Sequence, residues 1–419
     1  MELICSTTKN SEKYKILSNL MIMASENSTA LRIIILFGIV SLLGDIIYEG
    51  TRGVVGPYLK ILGGNALIVG FVFGLGEFFG YLLRLFFGYF SDKTKAYWFF
   101  IFIGYGMLAF IPLLSVANIW QIAGAFIITE RIGKAIRSPA RDTVISSFKK
   151  RVGSGFAFGL HEFFDQIGAL IGPLIFAFAF LNRDVVIDDY KKTFTFMWIP
   201  FIFLIIVLIF AYGRKVEKEK EEKIDEKLPK IFWLYIIFTF LTTFGFINFA
   251  ISGYHFKTKN IFYDYQIPLV YALAMGIDGG IAMFIGKAYD RMNKKGDGLK
   301  LLLIIPLLTL LSSITILSSY KYLIILGIAF WGIVMGAHET IMKAGISDIT
   351  SLRRRGTAYG LFNFSYGIAL FFGGSMAGYL YEYSINVLLI ILILIQIFAI
   401  FFFFAINRQI EKSKSQTYY

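Results

Sequence analysis

Charged side chains interrupt several long apolar stretches of this sequence, and they are the residues best suited to do chemistry. The densest group lies between Thr129 and Pro173. A charge at the centre of a bilayer costs roughly 2.5–3.5 kcal/mol on insertion scales, so charged groups at that depth face a protein interior or a wet cavity. There they could bind protons or recognise a charged solute. The candidates for these roles are Asp45, Glu77, Glu130, Arg131, His161, Glu162, Asp165, Asp278 and Glu339.

The fifth apolar stretch carries its polar residues with helical spacing. His161, Asp165, Gly168 and Gly172 recur at i, i+4, i+7 and i+11, which places them on one face of a helix. Phenylalanine, leucine and isoleucine fill the opposite side. The pattern predicts a helix with lipid on one side and a polar surrounding on the other.

The spacing of opposite charges leaves two interpretations open. Glu130 precedes Lys134 by four residues, the favoured order for a helix ion pair, so the two form a structural salt bridge or belong to a transport site. Arg131 and Asp165 have no obvious opposite charge one turn away in their own stretches. We therefore hypothesise that Arg131 and Asp165 contact each other, either as a permanent bridge that neutralises both groups or as a contact that breaks during transport. A contact that is made and broken would couple proton binding to a conformational change, because burial and an approaching guanidinium shift a carboxylate pKa in opposite directions.

Two further sets of charged residues give weaker indications of a transport site. Glu77 and Arg84 are seven residues apart and share a helix face. Glu49 and Arg52 come at the end of the first apolar stretch, where we interpret them as membrane-interface residues.

The composition places the chain in a membrane. Of its 419 residues, 57% are hydrophobic and 16% charged, against about 25% charged in soluble domains. The net charge of +13 could suggest a nucleic-acid partner, but the basic residues concentrate in alternate loops between apolar stretches. This asymmetry follows the positive-inside rule, so we assign the charge to a membrane surface and expect no nucleic acid.

Several enzyme classes find no support in the sequence. The single cysteine excludes an intrachain disulfide and a cysteine metal cluster, and the three histidines show no metal-ligand spacing. The glycine pairs lie inside apolar stretches rather than in phosphate-binding loops. Loops are too short for a nucleotide-hydrolysing domain. We expect no metal, no cofactor and no catalytic residue.

Twelve apolar stretches are long enough to cross a roughly 30 Å hydrocarbon core. They predict an N-terminal segment without a signal peptide, a first bundle, a charged linker, a second bundle and a tail. These regions are 1–30, 31–212, 213–230, 231–406 and 407–419. The basic loops predict a multi-pass plasma-membrane protein with the linker and both termini in the cytoplasm.

The two halves of the chain repeat each other. Residues 88–93 match 286–291, the glutamate-to-alanine segment 130–135 matches 339–344, and Gly172 matches Gly373. Matches in the same order and on the same membrane side indicate parallel repeats about an axis along the membrane normal, a known transporter design.

The repeated loop motif resembles that of the major facilitator superfamily, and the resemblance extends over 31–406. It implies an all-α integral membrane fold of 12 transmembrane helices in two pseudo-symmetric six-helix bundles. In that family the motif locks the two halves together on the cytoplasmic side. This chain has Lys95 and Asn293 where a second glycine is usual. The gating residues that the resemblance implies are Gly88, Asp92, Lys93, Gly286, Asp290 and Arg291.

A narrower resemblance lies in the fifth stretch. Gly159, Gly168, Gly172 and Pro173 are spaced as in the signature of drug–proton antiporters of the superfamily. The glycine pair that usually follows is replaced by phenylalanine and alanine. The alternative is simple close packing of helices through small residues.

These observations predict a monomeric secondary transporter that exports a small organic or amphipathic solute in exchange for protons. One alternative is uptake by proton or Na+ symport on the same fold; a remote one is an integral-membrane enzyme or receptor. The midplane carries more acids than arginines, which favours a cationic solute, although Arg84 and Arg131 leave an anionic one possible.

Overall fold

The computed structural model describes residues 31–147, 154–181, 185–212, 228–294, 296–351 and 354–417. Regular structure in these ranges is entirely helical. Three short 3₁₀ helices, Met107–Phe110, Pro112–Val116 and Gly298–Leu303, continue membrane-crossing segments. The α-helices α1 to α16 are, in order, Leu31–Arg52, Val55–Ile61, Ala66–Thr94, Tyr97–Gly106, Trp120–Ser147, Ser154–Ala179, Ile187–Phe196, Trp198–Ala211, Lys230–Phe244, Phe249–Thr258, Gln266–Asn293, Ile304–Ile316, Lys321–Glu339, Ile341–Ile349, Arg355–Tyr383 and Ile385–Thr417.

Ten helical segments of the described residues are long and apolar enough to cross a membrane. Helices α5 and α15, with 28 and 29 residues, are long enough to cross a membrane but are less apolar than these ten segments. In α5 the reason is that charged residues interrupt the apolar sequence. Together these twelve segments coincide with the twelve predicted spans. The prediction of an all-helical membrane protein is therefore confirmed. The N-terminal segment and most of the predicted linker lie outside the described residues.

The seventh predicted span is broken in its middle. Helix α9 ends at Phe244, and α10 begins at Phe249 after Asn248, whose side chain accepts a hydrogen bond from the Ile251 backbone N–H at 3.0 Å. This cap satisfies a backbone donor that the broken helix would otherwise leave unpaired. The break directs Phe246 and Asn248 into the space between the two halves.

We call the end of the bundle with most of the basic loops the inner end, and the opposite end the outer end. At the outer end the two halves touch through backbone. Gly56 of α2 lies against Ala250 of α10, and a Cβ at Gly374 of α15 would lie 3.0 Å from the Gly70 carbonyl oxygen of α3. Only glycine allows helices to approach so closely. The Ala66 backbone N–H of α3 donates to Glu382 of α15 at 2.7 Å, so the outer end is also closed by a hydrogen bond.

The repeat predicted from the sequence appears as a repeated helix contact. Gly172 of α6 lies against Ile46 and Gly50 of α1, while its counterpart Gly373 of α15 lies against Phe244 of α9. The fifth span thus packs on the first, and the eleventh packs on the seventh, through the same glycine.

The predicted gating motifs lie in helix ends rather than in loops. Gly88 to Lys93 form the last turns of α3, and the second copy ends α11. Helix α3 terminates at Lys95, whose φ of 55° is left-handed. Glycine adopts this conformation without steric cost, which explains why glycine is usual at the position that Lys95 occupies here.

Candidate functional site

A cavity of about 100 Å³ lies between the two halves. It is large enough for several waters or a very small solute. The first half contributes Tyr48, Glu49, Arg52, Phe73, Glu77, Tyr81, Arg84, Arg131 and Lys134. The second half contributes Phe246, Asn248, Phe249, Trp331, Met335, His338, Glu339, Lys343, Phe362, Asn363, Tyr366 and Leu370. We call this space the central cavity.

Basic side chains outnumber acidic ones around the central cavity. The bases are Arg52, Arg84, Arg131, Lys134 and Lys343, and the acids are Glu49, Glu77 and Glu339. This balance differs from the acidic midplane expected from the sequence, because Glu130, Asp165 and Asp278 do not line the cavity. Of the nine candidates, the structure brings only Glu77, Arg131 and Glu339 to it.

The cavity wall includes Glu49 and Arg52, whose place at the end of the first apolar stretch indicates membrane-interface residues. The signal that could have found them is their register. They follow Asp45 at i+4 and i+7, so all three extend one polar face of α1.

A buried ion-pair network forms the first-half wall. Glu77 Oε1 lies 3.4 Å from both Arg52 Nη2 and Arg131 Nη1. Behind them, Arg131 Nε lies 3.0 Å from Glu130 Oε2, and Arg137 Nη2 lies 3.4 Å from Glu130 Oε1. Each charge in this network has an opposite charge beside it, as buried charges require.

Tyr48 forms an aromatic platform under two of the bases. The Arg131 guanidinium carbon lies 3.4 Å from the centre of the Tyr48 ring, and Lys134 Nζ lies 4.2 Å from it. Such cation–π contacts help to hold cations where they are partly desolvated. Lys134 makes no ion pair within the described residues and is therefore available to an anion.

Two predicted pairings are not formed. Glu130 pairs with Arg131 and Arg137 instead of Lys134. Arg131 pairs with Glu77 and Glu130 instead of Asp165. The reason is tertiary: α5 packs along α3, which brings Glu77 to Arg131, and it touches α6 much less.

Asp165 belongs to a second polar cluster, between α6 and α1. His161 Nε2 lies 3.7 Å from Asp165 Oδ2 and 3.4 Å from the Ser41 hydroxyl. Asp165 Oδ1 and His161 Nδ1 are buried without a hydrogen-bond partner within the described residues. Asp45 also belongs here: Gly168 of α6 packs against its Cβ, and Asp165 and Lys134 are among the charges that act on it most.

The second-half wall is aromatic and largely uncharged. His338 Nδ1 lies 3.0 Å from the Tyr366 hydroxyl, and its ring is 5.4 Å from that of Phe246. Asp278 lies beside this wall with a buried Oδ1 that has no hydrogen-bond partner in the described part of the chain. Tyr271 crosses between the halves and donates a short hydrogen bond to Glu49.

The remaining candidates lie away from the central cavity. Glu162 is exposed on α6, where Gln166 Nε2 donates to it at 3.3 Å. Asp92 accepts a hydrogen bond from Tyr97 at 3.3 Å, and Asp290 and Arg291 are exposed at the end of α11.

The glycine motif of the fifth span faces a helix rather than the cavity. Gly168 and Gly172 lie against α1, and Pro173 lies inside α6. The Gly159 position is helical, but its surroundings lie outside the described side chains. These contacts show close helix packing at the motif, and the exporter signature stays a prediction.

No group of three His, Cys, Asp or Glu side chains in the described residues could hold a metal ion. The charges at this site can bind a solute or protons, whereas their arrangement offers no nucleophile with an activating base.

The chain is similar in sequence to uncharacterized proteins and in fold to solved transporters. It is 33% identical over 391 residues to an uncharacterized protein, Rv2265, of Mycobacterium tuberculosis, covering 90% of this chain and 94% of that protein. It is 28% identical over 367 residues to an uncharacterized MFS-type transporter, MJ1317, of Methanocaldococcus jannaschii, covering 83% and 88%.

Two solved structures share the fold at 12% sequence identity. A bacterial homolog of the human lysosomal transporter Spinster, in an inward-facing and unoccupied conformation, superposes with a TM-score of 0.69, covering 92% of this chain and 98% of that one. The nucleoside transporter NupG superposes with a TM-score of 0.70, covering 90% and 98%. The family model of the Major Facilitator Superfamily matches residues 34–299 and 296–417. The chain belongs to the Major Facilitator Superfamily and is a membrane transporter rather than an enzyme.

Proposed function

We propose that this transporter moves a small anionic or zwitterionic organic solute across the membrane by alternating access, driven by protons. The observation that carries the proposal is the central cavity, which lies between the two halves, is closed at the outer end and has more bases than acids in its wall. A site at the interface of two repeats is where such transporters bind their substrate.

Three bases of the wall make no ion pair within the described residues and can bind an anionic group: Lys134, Arg84 and Lys343. Arg52 and Arg131 are neutralised by Glu49 and Glu77, whereas Lys134 makes no ion pair in the described residues. Arg84 has a buried Nε without a hydrogen-bond partner there, and its guanidinium lies 4.9 Å from the Tyr81 ring. A carboxylate or phosphate between these bases would satisfy donors that the unoccupied site leaves unpaired.

The second polar cluster, around Asp165, supports the proposal that transport is coupled to protons. Asp165 lies apart from the central cavity, with His161 and Glu162 on its own helix and Ser41 and Asp45 on α1. Lys134 and Arg141 of α5 are the cations that act on it. A carboxylate with an unpaired oxygen between two helices can take up a proton outside the central cavity. Movement of α1 against α6 would change its surroundings and release the proton.

Export in exchange for protons is the direction that we propose, and uptake by proton or Na+ symport is the alternative. The glycine motif packs α6 on α1 and favours neither direction, so a transport measurement must decide. In reconstituted vesicles with an imposed pH gradient, an exporter of this kind moves solute in the direction opposite to proton flow. A symporter moves it in the same direction as protons, or requires Na+.

The substrate class can be tested by measuring charge movement in proteoliposomes. We expect currents with small carboxylates, sulfonates or phosphate monoesters, or with zwitterions, and none with small organic cations. Lys134→Gln should weaken the apparent affinity for the active solutes, because it removes an unpaired cation from the wall. Currents with organic cations alone would contradict the proposed class.

The coupling role can be tested with Asp165→Asn, with Asp188→Asn as the control. Asp188 is an exposed carboxylate in the first turn of α7. We expect Asp165→Asn to abolish accumulation driven by a pH gradient while solute exchange continues, and Asp188→Asn to behave as the wild type. If Asp165→Asn still accumulates solute on a pH gradient alone, Asp165 is not the coupling residue.

A further inference from the structure

A second and larger opening lies between α6 and α11, in their central and inner portions. Its volume is about 720 Å³, several times that of the central cavity. Much of its wall is apolar, including Phe163 and Leu170 of α6 and Met275 and Met283 of α11. Phe163 and Met283 are each 59% exposed at its rim. We call this space the lateral crevice.

Glycines of α11 keep the lateral crevice open. A Cβ at Gly280 would have no atom within 4 Å, and one at Gly276 would meet only a Leu170 methyl at 3.5 Å. A Cβ at the neighbouring Gly279 would lie against the Gln166 side chain, so α6 and α11 touch beside this opening. The crevice extends along α11 from Met283 to Met275, near the middle of the helix. Its depth is that of the acyl chains of the inner leaflet.

The lateral crevice and the central cavity meet at two charged residues. Glu339 and Lys343 line both spaces. Along this route the walls change from mainly methionine, phenylalanine and glycine, with Glu162 and Gln166 beside them, to a surface on which lysine and arginine outnumber glutamate. The cations without ion pairs in the described residues that a solute then reaches are Lys343, Lys134 and Arg84.

This gradient of polarity matches a molecule with one apolar chain and a charged head. A hydrocarbon chain in the crevice would cover apolar surface, and a head in the cavity would lie beside the unpaired cations. The central cavity alone is too small for a chain, whereas the crevice has the volume that ligand-sized sites have.

We propose that the lateral crevice binds the alkyl chain of a single-chain amphiphile from the inner leaflet, with its anionic head in the central cavity. The proposal rests on the proposed anion-binding function and names its substrate class. The amphiphile enters sideways between α6 and α11, and short anions enter from the inner end without using the crevice.

The test fills the crevice at Gly280. Gly280→Leu places a side chain in empty space on a helix that favours leucine over glycine, so the fold is preserved. Gly106→Leu is the matched control, because Gly106 also has nothing within 4 Å of a Cβ and lines neither space. Met283→Gln, at the exposed rim, is a second variant that removes apolar contact without adding bulk.

The measurement is thermal unfolding of the purified full chain in maltoside detergent, titrated with three probes. Dodecyl phosphate has the chain and the anionic head, butyl phosphate has the head with a short chain, and dodecyltrimethylammonium has the chain with the opposite charge. A ligand of the folded state raises the unfolding temperature in proportion to its occupancy.

We expect dodecyl phosphate to stabilise the wild type at concentrations where the other two probes do not. Gly280→Leu should need about tenfold more dodecyl phosphate, since the chain loses its buried surface, and Met283→Gln should show a smaller shift in the same direction. Gly106→Leu should titrate as the wild type does.

Equal titration of Gly280→Leu and wild type would overturn the proposal. So would equal stabilisation by butyl phosphate or by dodecyltrimethylammonium, or no response to dodecyl phosphate. These failures are separable from failure of the proposed function, because transport of short anions is measured independently and Gly280→Leu should retain it.

Discussion

The repeat-related residues Glu130 and Glu339 have opposite surroundings in the two halves of the molecule. Glu130 is 1% exposed and lies between Arg131 and Arg137. Glu339 faces both the central cavity and the lateral crevice and makes no ion pair within the described residues. The repeated segment, 130–135 in the first half and 339–344 in the second, thus places its glutamate in a fixed structural bridge in one half and at an accessible surface in the other.

The difference extends to the walls that surround the two glutamates. In the first half most of the charges neutralise one another and fix a polar surface, with Lys134 and Arg84 as the cations left unpaired within the described residues. The second half presents single polar groups, such as His338, in aromatic surroundings. We infer that the first half supplies a rigid binding surface and that the second half supplies the surface that changes.

The largest expected effect comes from breaking the first-half network. Glu130→Gln leaves the buried Arg137 without an opposite charge and Arg131 with Glu77 alone, and we expect it to cost about 3–5 kcal/mol in the free energy of unfolding. Titration with a denaturing detergent in mixed micelles would measure it. A loss below ~1 kcal/mol would mean that the network does not distinguish the two halves.

A smaller loss is expected from the contact that crosses between them. Tyr271→Phe removes the hydrogen bond to the Glu49 carboxylate, and a bond to a charged group contributes about 1.5–3 kcal/mol. The same titration should show this loss. It should disappear in a Glu49→Leu background, which removes the acceptor, and its persistence there would refute the assignment.

Within the second half, Tyr366→Phe removes one neutral hydrogen bond to His338. We expect about 0.5–1.5 kcal/mol of destabilisation. If unfolding titrations show Tyr366→Phe to be as costly as Glu130→Gln, the second half contains a network as strong as the first.

The smallest effect on stability is expected at the repeat-related position itself. Glu339→Gln changes an exposed group without an ion pair, so the free energy of unfolding should stay within about 0.5 kcal/mol of wild type. Solute affinity in the transport assay should change, because Glu339 lines the central cavity. A variant that is strongly destabilised would show that Glu339, like Glu130, is structural.

The sequence by itself determined the membrane-spanning helices, because hydropathy and length act locally along the chain. It also determined the stripe of His161, Asp165, Gly168 and Gly172, since helical spacing alone places residues on one face. Lys95 was visible as a departure from the family motif, but only the structure showed that it occupies a left-handed helix terminus.

Tertiary structure alone decided which charges meet and where the chain leaves space. Arg131 pairs with Glu77, 54 residues away, because α5 lies along α3. Charge spacing within one helix carries no information about that neighbour. The same holds for Gly280, whose open surroundings depend on where α11 diverges from α6. Which charges pair and where a cavity remains depend on the distances between helices. Those distances are set by the packing of the whole bundle rather than by any one segment.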